Sequence, residues 1–257
     1  MSVNRINFNS DLAERDWDFY ETVDKKLISK INSANISCLY HGGMEAVVQQ
    51  AVAECHQHEV SIGAHVSFLD IENFGRTPMP WTPIQIQELL KDQIEFLSEV
   101  CKQNNTKITH IKPHGALNNM ACKDADLSQV IIDYIKRHYP SLIILAPALS
   151  KLALVAENEK MQTVLEIFAD RTYEDDGTLT PRTIDGSLIT NPQLASQHVE
   201  QMLLQGAIIS RSGAQLPTSI HSICLHSDTP NSVEISNEIC ILLHSMGIKQ
   251  IAIPHLF

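Results

Sequence analysis

The feature that most constrains this chain is a rhythm. Short apolar, β-rich runs alternate with longer segments of helical period along nearly its whole length. The runs lie at 4–8 (NRINF), 35–40 (NISCLY), 60–66 (VSIGAHV), 107–112 (KITHIK), 142–146 (LIILA), 163–168 (TVLEIF), 219–225 (SIHSICL) and 249–253 (KQIAI). Between them, MEAVVQQAVAECHQH places Val47, Val48, Ala51, Val52 and Cys55 on one helical face. TPIQIQELLKDQIEFLSEVCKQ opens on Thr82 and Pro83, a capping residue followed by a first-turn proline. DADLSQVIIDYIKRHY, NPQLASQHVEQMLLQG and TPNSVEISNEICILLHSMG read as helices too, and the last two end in Gly, a helix stop.

Alternating strands and helices imply right-handed βαβ units and a parallel sheet. About eight such units in a chain of 257 residues suit a closed barrel better than an open sheet. The expected fold is α/β, an irregular TIM-like (β/α) barrel of seven to eight strands forming one domain over residues 1–257. One segment breaks the rhythm. DRTYEDDGTLTPRTIDGSLITNP, residues 170–192, holds two Asp-Gly turns and Thr/Leu/Ile alternation, and reads as a hairpin or long loop inserted after the sixth strand. Thr178–Thr183, with Arg182, is placed to cover the barrel mouth.

Composition narrows the function. Apolar residues make up 44%, enough to bury a sizeable core, and the 19% charged residues are too dispersed for disorder. The net charge is -11 and no basic run occurs, so neither nucleic acid nor a polyanionic membrane surface is an expected partner. No apolar run approaches the length of a membrane span, and MSVNRINFNSD lacks the apolar core of a secretory signal. Six cysteines, with no CxxC pair, read as free thiols in a reducing compartment. The expected location is the cytoplasm.

In barrels of this kind the chemistry sits at the C-terminal strand ends. There the first strand runs into Asn9 and Asp11, and the second into His41, Gly42 and Gly43. The third carries His65 and Ser67, then a loop with Asp70, Phe74, Gly75 and Arg76. The fourth gives Lys112 and His114, the sixth Glu166, Asp170 and Arg171, and the seventh His226 and Asp228. A single histidine at a strand end is more often a packing residue than a catalyst. So many charges in one mouth argue otherwise, because each unpaired buried ion costs several kcal/mol. The chain has no GxxxxGK[ST], no GxGxxG and no GxSxG, so any nucleotide is not held by a standard phosphate loop.

Five blocks occur in order: NISCLYHGG, SIGAHVSF followed by NFGR, IKPHGALNN, EIFADRTYEDDGTLTPR and ICLHSDTPNSV. On these blocks the chain resembles the LamB/YcsF family over nearly its whole length. The resemblance implies a barrel related to glycoside-hydrolase and polysaccharide-deacetylase folds. It implies ATP-dependent hydrolytic opening of the lactam of 5-oxoproline (pyroglutamate) to L-glutamate. The implied partners are 5-oxoprolinase subunits B and C, with ATP shared between the subunits. The sequence departs from the usual family pattern at Asn7 (Asp), Ala13 (Gly), Leu39 (Gly), Met44 (Asp), Val66 (Pro) and Ser227 (Gly). Two of these are lost carboxylates.

On this resemblance the expected catalytic set is Asp11, His41, His65, Lys112, His114 and Asp170. The expected substrate-binding set is Arg76, Arg171, Glu166, His226 and Asp228. Asp11 with His41 or His65 would activate water, and Lys112 and His114 would stabilise the developing negative charge. Arg171 or Arg76 would clamp the substrate carboxylate. Asp170 would orient Lys112 or Arg171, and Asp228 would orient His226. Two other readings stay open. Asp11, His41 and His65 could hold a divalent metal for amide hydrolysis without ATP, or the lost carboxylates could mark a non-catalytic binding subunit.

Overall fold

The computed structural model describes residues 4–257. Six parallel strands follow one another in the chain: β1 (Arg5–Leu12), β2 (Ser33–Ser37), β3 (Ser61–Val66), β4 (Ile108–Pro113), β5 (Ile143–Pro147) and β6 (Thr163–Phe168). A short antiparallel hairpin, β7 (Ala207–Ile209) and β8 (Gln215–Pro217), stands apart from them. β9 (Ser222–His226) then pairs with β6 on one side and with β1 on the other, closing a seven-stranded parallel barrel. The register of the closure runs from Asn7 opposite Ser222 to Asp11 opposite His226.

The eighth run is not a barrel stave. Only Lys249–Gln250 (β10) pairs, at the outer start of β1. Pro254, which lacks an N–H for a ladder, then turns the chain into a 3₁₀ helix, Ile253–His255. Ile253 is buried among Ile143, Leu145 and Val164, and this plug seals the end of the barrel opposite the mouth.

The helices cover the outside: α1 (Trp17–Phe19), α2 (Lys25–Ile28), α3 (Glu45–Gln57), α4 (Pro83–Gln103), α5 (Gly115–Ala121), α6 (Ala125–His138), α7 (Lys151–Asn158), α8 (Pro192–Gln205) and α9 (Ser232–Ser245). A π-helical turn, Tyr20–Asp24, joins α1 to α2. Thr82 caps α4 as its sequence predicts, accepting from the Gln85 N–H. Residues 170–192 fold back through two isolated antiparallel bridges, Arg171–Leu188 and Tyr173–Leu179.

The large apolar core lies between strands and helices. The barrel interior is different, because β1 sends Asn7, Asn9 and Asp11 inward, all buried. Asn7 donates to Ser33 Oγ and to the Ile251 carbonyl and accepts from Ser222 Oγ. Asn9 donates to Ser222 Oγ and accepts from Asn35, which also donates to Asp11. TIM barrels usually fill this space with branched aliphatic layers. Here a hydrogen-bonded polar column rises from the floor to the mouth.

Candidate active site

At the top of that column lies Lys112, on β4. Its ammonium is 3.0 Å from Asp11 Oδ1, 3.2 Å from Glu166 Oε2 and 3.1 Å from Cys224 Sγ. Burial opposes charge on all of them, yet His65 and Lys112 hold Asp11 well below the usual carboxylate range. Burial also works against the Lys112 ammonium, but the carboxylates raise it well above its ordinary value. Glu166 is pushed up by its burial and by the Asp11 charge, with Lys112 opposing. All three donors of Lys112 therefore have partners, and the side chain fixes Asp11 in place.

Beside it, three imidazoles surround one carboxylate. Glu14 Oε1 lies 2.8 Å from His41 Nε2, 3.2 Å from His114 Nδ1 and 3.4 Å from His65 Nε2. Burial raises Glu14, but the His114 and His41 rings against it bring it well below the ordinary range. Burial lowers His41 to about 4, and His114 adds to that, so its ring is neutral. His65 is raised: desolvation opposes its charge, and Asp11 overcomes it. The loop after β3 packs against His41 and His114 through Gly75, at φ +66, where a Cβ would collide with Ser67 Oγ and stand 2.7 Å from His41 Cβ and 2.9 Å from His114 Cδ2.

The third element is a pair. Asp170 accepts from His226 Nδ1 at 2.9 Å and also from Thr229 Oγ1. The other ring nitrogen, Nε2, faces Asp11 Oδ2 at 3.9 Å. Phe168 stacks on this ring, with centroids 5.3 Å apart. Above all three groups opens a cavity of about 740 Å³, lined by Asp11, His65, Lys112, His114, His226 and the 176–183 segment among others. Arg171 lines it too. Its guanidinium donates to the Ser187 and Thr180 carbonyls, and no carboxylate oxygen of the described residues lies within 4.0 Å of it. Burial, then Arg182, lowers its pKa to about 10.

The profile of the LamB/YcsF family matches residues 6–256. The chain belongs to the LamB/YcsF family. A LamB/YcsF relative, the A subunit of 5-oxoprolinase from Azoarcus sp., is 35% identical over 252 residues, 98% of each chain. The corresponding 5-oxoprolinase A subunit of Azorhizobium caulinodans is 36% identical over 95% of this chain and 96% of its own. The crystal structure of a lactam utilization protein from Thermus thermophilus superposes with a TM-score of 0.87 at 30% identity, covering 96% of this chain and 99% of that one. A family 4 carbohydrate esterase from Streptomyces lividans, at 10% identity and a TM-score of 0.51 over 97% of this chain and 93% of that one, shares the barrel fold alone.

Within this LamB/YcsF barrel Asp11, His65, Arg76, Lys112, His114, Arg171 and His226 line the cavity, while His41, Glu166, Asp170 and Asp228 each contact one of them, and several pair differently from expectation. Asp170 orients His226, not Lys112 or Arg171. Asp228 does not orient His226. It binds Arg76 at 2.7 Å, with Arg15 at 3.6 Å and Arg182 at 3.8 Å, and so ties three mouth loops together. Asp11, His41 and His65 do not converge as one set, because His41 turns to Glu14. The residue that gathers the histidines, Glu14, was not anticipated. It ends the stretch NFNSDLAE, residues 7–14, and its sequence signal is a carboxylate three residues beyond Asp11.

Proposed function

We propose that this chain opens the lactam of 5-oxoproline to L-glutamate, as the lactam-handling component of an ATP-dependent 5-oxoprolinase completed by subunits B and C. The names borne by its relatives support the reaction class. The observation that carries the reading is Arg171, a buried guanidinium facing the cavity with carbonyl partners only. Asp170 acts on it only from beyond ion-pair distance, and a buried cation without a contacting counter-ion is costly unless a ligand supplies one. The carboxylate of 5-oxoproline does so, bound in fork geometry.

A lactam is a stable amide, so opening it needs an activated carbonyl, a nucleophile and a proton for the leaving nitrogen. Bound ATP would supply the activation by phosphorylating the lactam oxygen with release of ADP; water would then attack the imidate-like carbon, the ring C–N bond would break, and hydrolysis of the resulting acyl phosphate would release phosphate. Because no standard phosphate loop is present in this chain, the nucleotide is assigned mainly to the partners. His226, held by Asp170 through Nδ1, presents Nε2 to the cavity and takes the proton from water. It then returns that proton to the ring nitrogen. Asp11, ionised and clamped by Lys112, stabilises the imidazolium formed.

The test is glutamate release from 5-oxoproline by this chain mixed with candidate B and C subunits, with and without ATP. ATP-dependent glutamate in the mixture is the expected result. Arg171→Gln is expected to raise KM at least 100-fold while the far-ultraviolet circular dichroism stays native. An unchanged KM would remove Arg171 from substrate binding, and no glutamate from a folded, assembled mixture would overturn the reading.

A further inference from the structure

The Glu14 cluster contains a local conflict. His65 Nδ1 lies 3.0 Å from the Lys112 carbonyl, which can only accept, so that nitrogen carries the hydrogen. His114 Nε2 lies 2.9 Å from the Phe74 carbonyl, and the same argument protonates it. In their neutral forms both rings therefore point their lone pairs inward, and His65 Nε2 also faces Asp11 Oδ2 at 3.3 Å. His65 Nε2 and His114 Nδ1 are 2.9 Å apart, and both face Glu14 Oε1, at 3.4 and 3.2 Å. With both rings neutral, three acceptors meet with no donor between them. One shared proton can satisfy a single edge of this triangle. A cation satisfies all three.

The dimensions favour the cation. An ion roughly 2.0–2.1 Å from three such donors at tetrahedral angles holds them about 3.3–3.4 Å apart, close to the triangle observed. The outer nitrogens are already fixed by carbonyls, the arrangement that sets the tautomer of metal-bound histidine. His41 gives Nε2–H to the same Glu14 oxygen and stacks on His114, with centroids 3.8 Å apart, so it holds two corners of the triangle. Its other nitrogen, Nδ1, is buried without a partner. His65 and His114 line the cavity, so the position opposite the triangle is open to a small ligand.

We propose that His65 Nε2, His114 Nδ1 and Glu14 Oε1 bind a divalent transition-metal ion with one coordination position open to the cavity, and that His41 is its positioning residue. The ion's role in lactam opening, holding water or the lactam oxygen at the open position, rests on the function proposed above; ion binding itself does not.

The experiment uses the full chain, untagged and stripped with a chelator, titrated with Zn²⁺ by calorimetry and with Co²⁺ by its visible d–d absorption. Binding of about one ion per chain, with a tetrahedral-type Co²⁺ band and a raised melting temperature, is expected. Glu14→Gln and His114→Asn should abolish the band, and His41→Asn should weaken affinity 10–100-fold while keeping it. No saturable binding by folded wild-type chain would overturn the site. So would a band kept in His114→Asn but lost in Asp11→Asn, which would place the ion on the Asp11 side. Because these readouts need no substrate, loss of the ring-opening reading would leave them intact.

Discussion

Lys112 sits between two carboxylates and a thiol, and that setting decides what its removal does. Without Lys112, Asp11 and Glu166 would lose their shared cation. Lys112→Met is expected to lose activity and roughly 3–5 kcal/mol of stability. Adding Glu166→Gln should restore much of the stability but not the activity, which denaturant unfolding and glutamate release will separate. Asp24 gives a second prediction at this scale. Burial raises its pKa from 3.8 to about 7, although it accepts a hydrogen bond from the Ala13 N–H. The folded state thus prefers the protonated acid. This contribution is full below about pH 4 and is lost as pH rises to about 7. Asp24→Asn should therefore unfold at a higher temperature than wild type at pH 8, with the gap closing at pH 4. An equal gap at both pH values would show that Asp24 does not titrate this way.

At the scale of elements, the departures from the family pattern acquire physical meanings. Met44 stands where a carboxylate is usual, and it is the N-cap of α3, extended and without a side-chain cap. The missing carboxylate is therefore a capping group, well placed to meet the helix dipole. Met44→Asp should add about 1 kcal/mol and raise the melting temperature by about 2–4 °C, read by calorimetry. Ala13 and Leu39 replace usual glycines, and both have positive φ, +60 and +68, so each substitution strains the backbone. Asn7 is fully hydrogen-bonded on the barrel floor and takes no part in the mouth. The long helices α3, α4, α6, α8 and α9 were legible because each buries one face through several turns. α1, α2, α5 and α7 are too short for that periodicity to show, and the β7–β8 hairpin has three-residue strands.

For the whole molecule, charge is distributed against its total. The chain carries -11 overall, yet Arg76, Lys112, Arg171 and Arg182 line the mouth. The proposed anionic substrate, 5-oxoproline, would be drawn to these cations across a partly open cavity, and salt screens such attraction. KM for 5-oxoproline should rise several-fold between about 50 and 500 mM salt with kcat nearly constant. A flat KM would mean that the mouth field does not steer the substrate. The runs that become the seven barrel strands, with an eighth that pairs only at Lys249–Gln250, follow from the sequence, because apolar period and length are local properties of each segment. So does the list of groups at the strand ends, since parallel βαβ units send every C-terminal end to one face. Which of those groups touch is not local. Closure of β9 on β1 brings His226 to Asp170 and Asp11, and the turn after β1 brings Glu14 to three histidines from three different strand ends. Pairings between residues far apart in the chain depend on barrel register and loop geometry, and only the tertiary structure decided them.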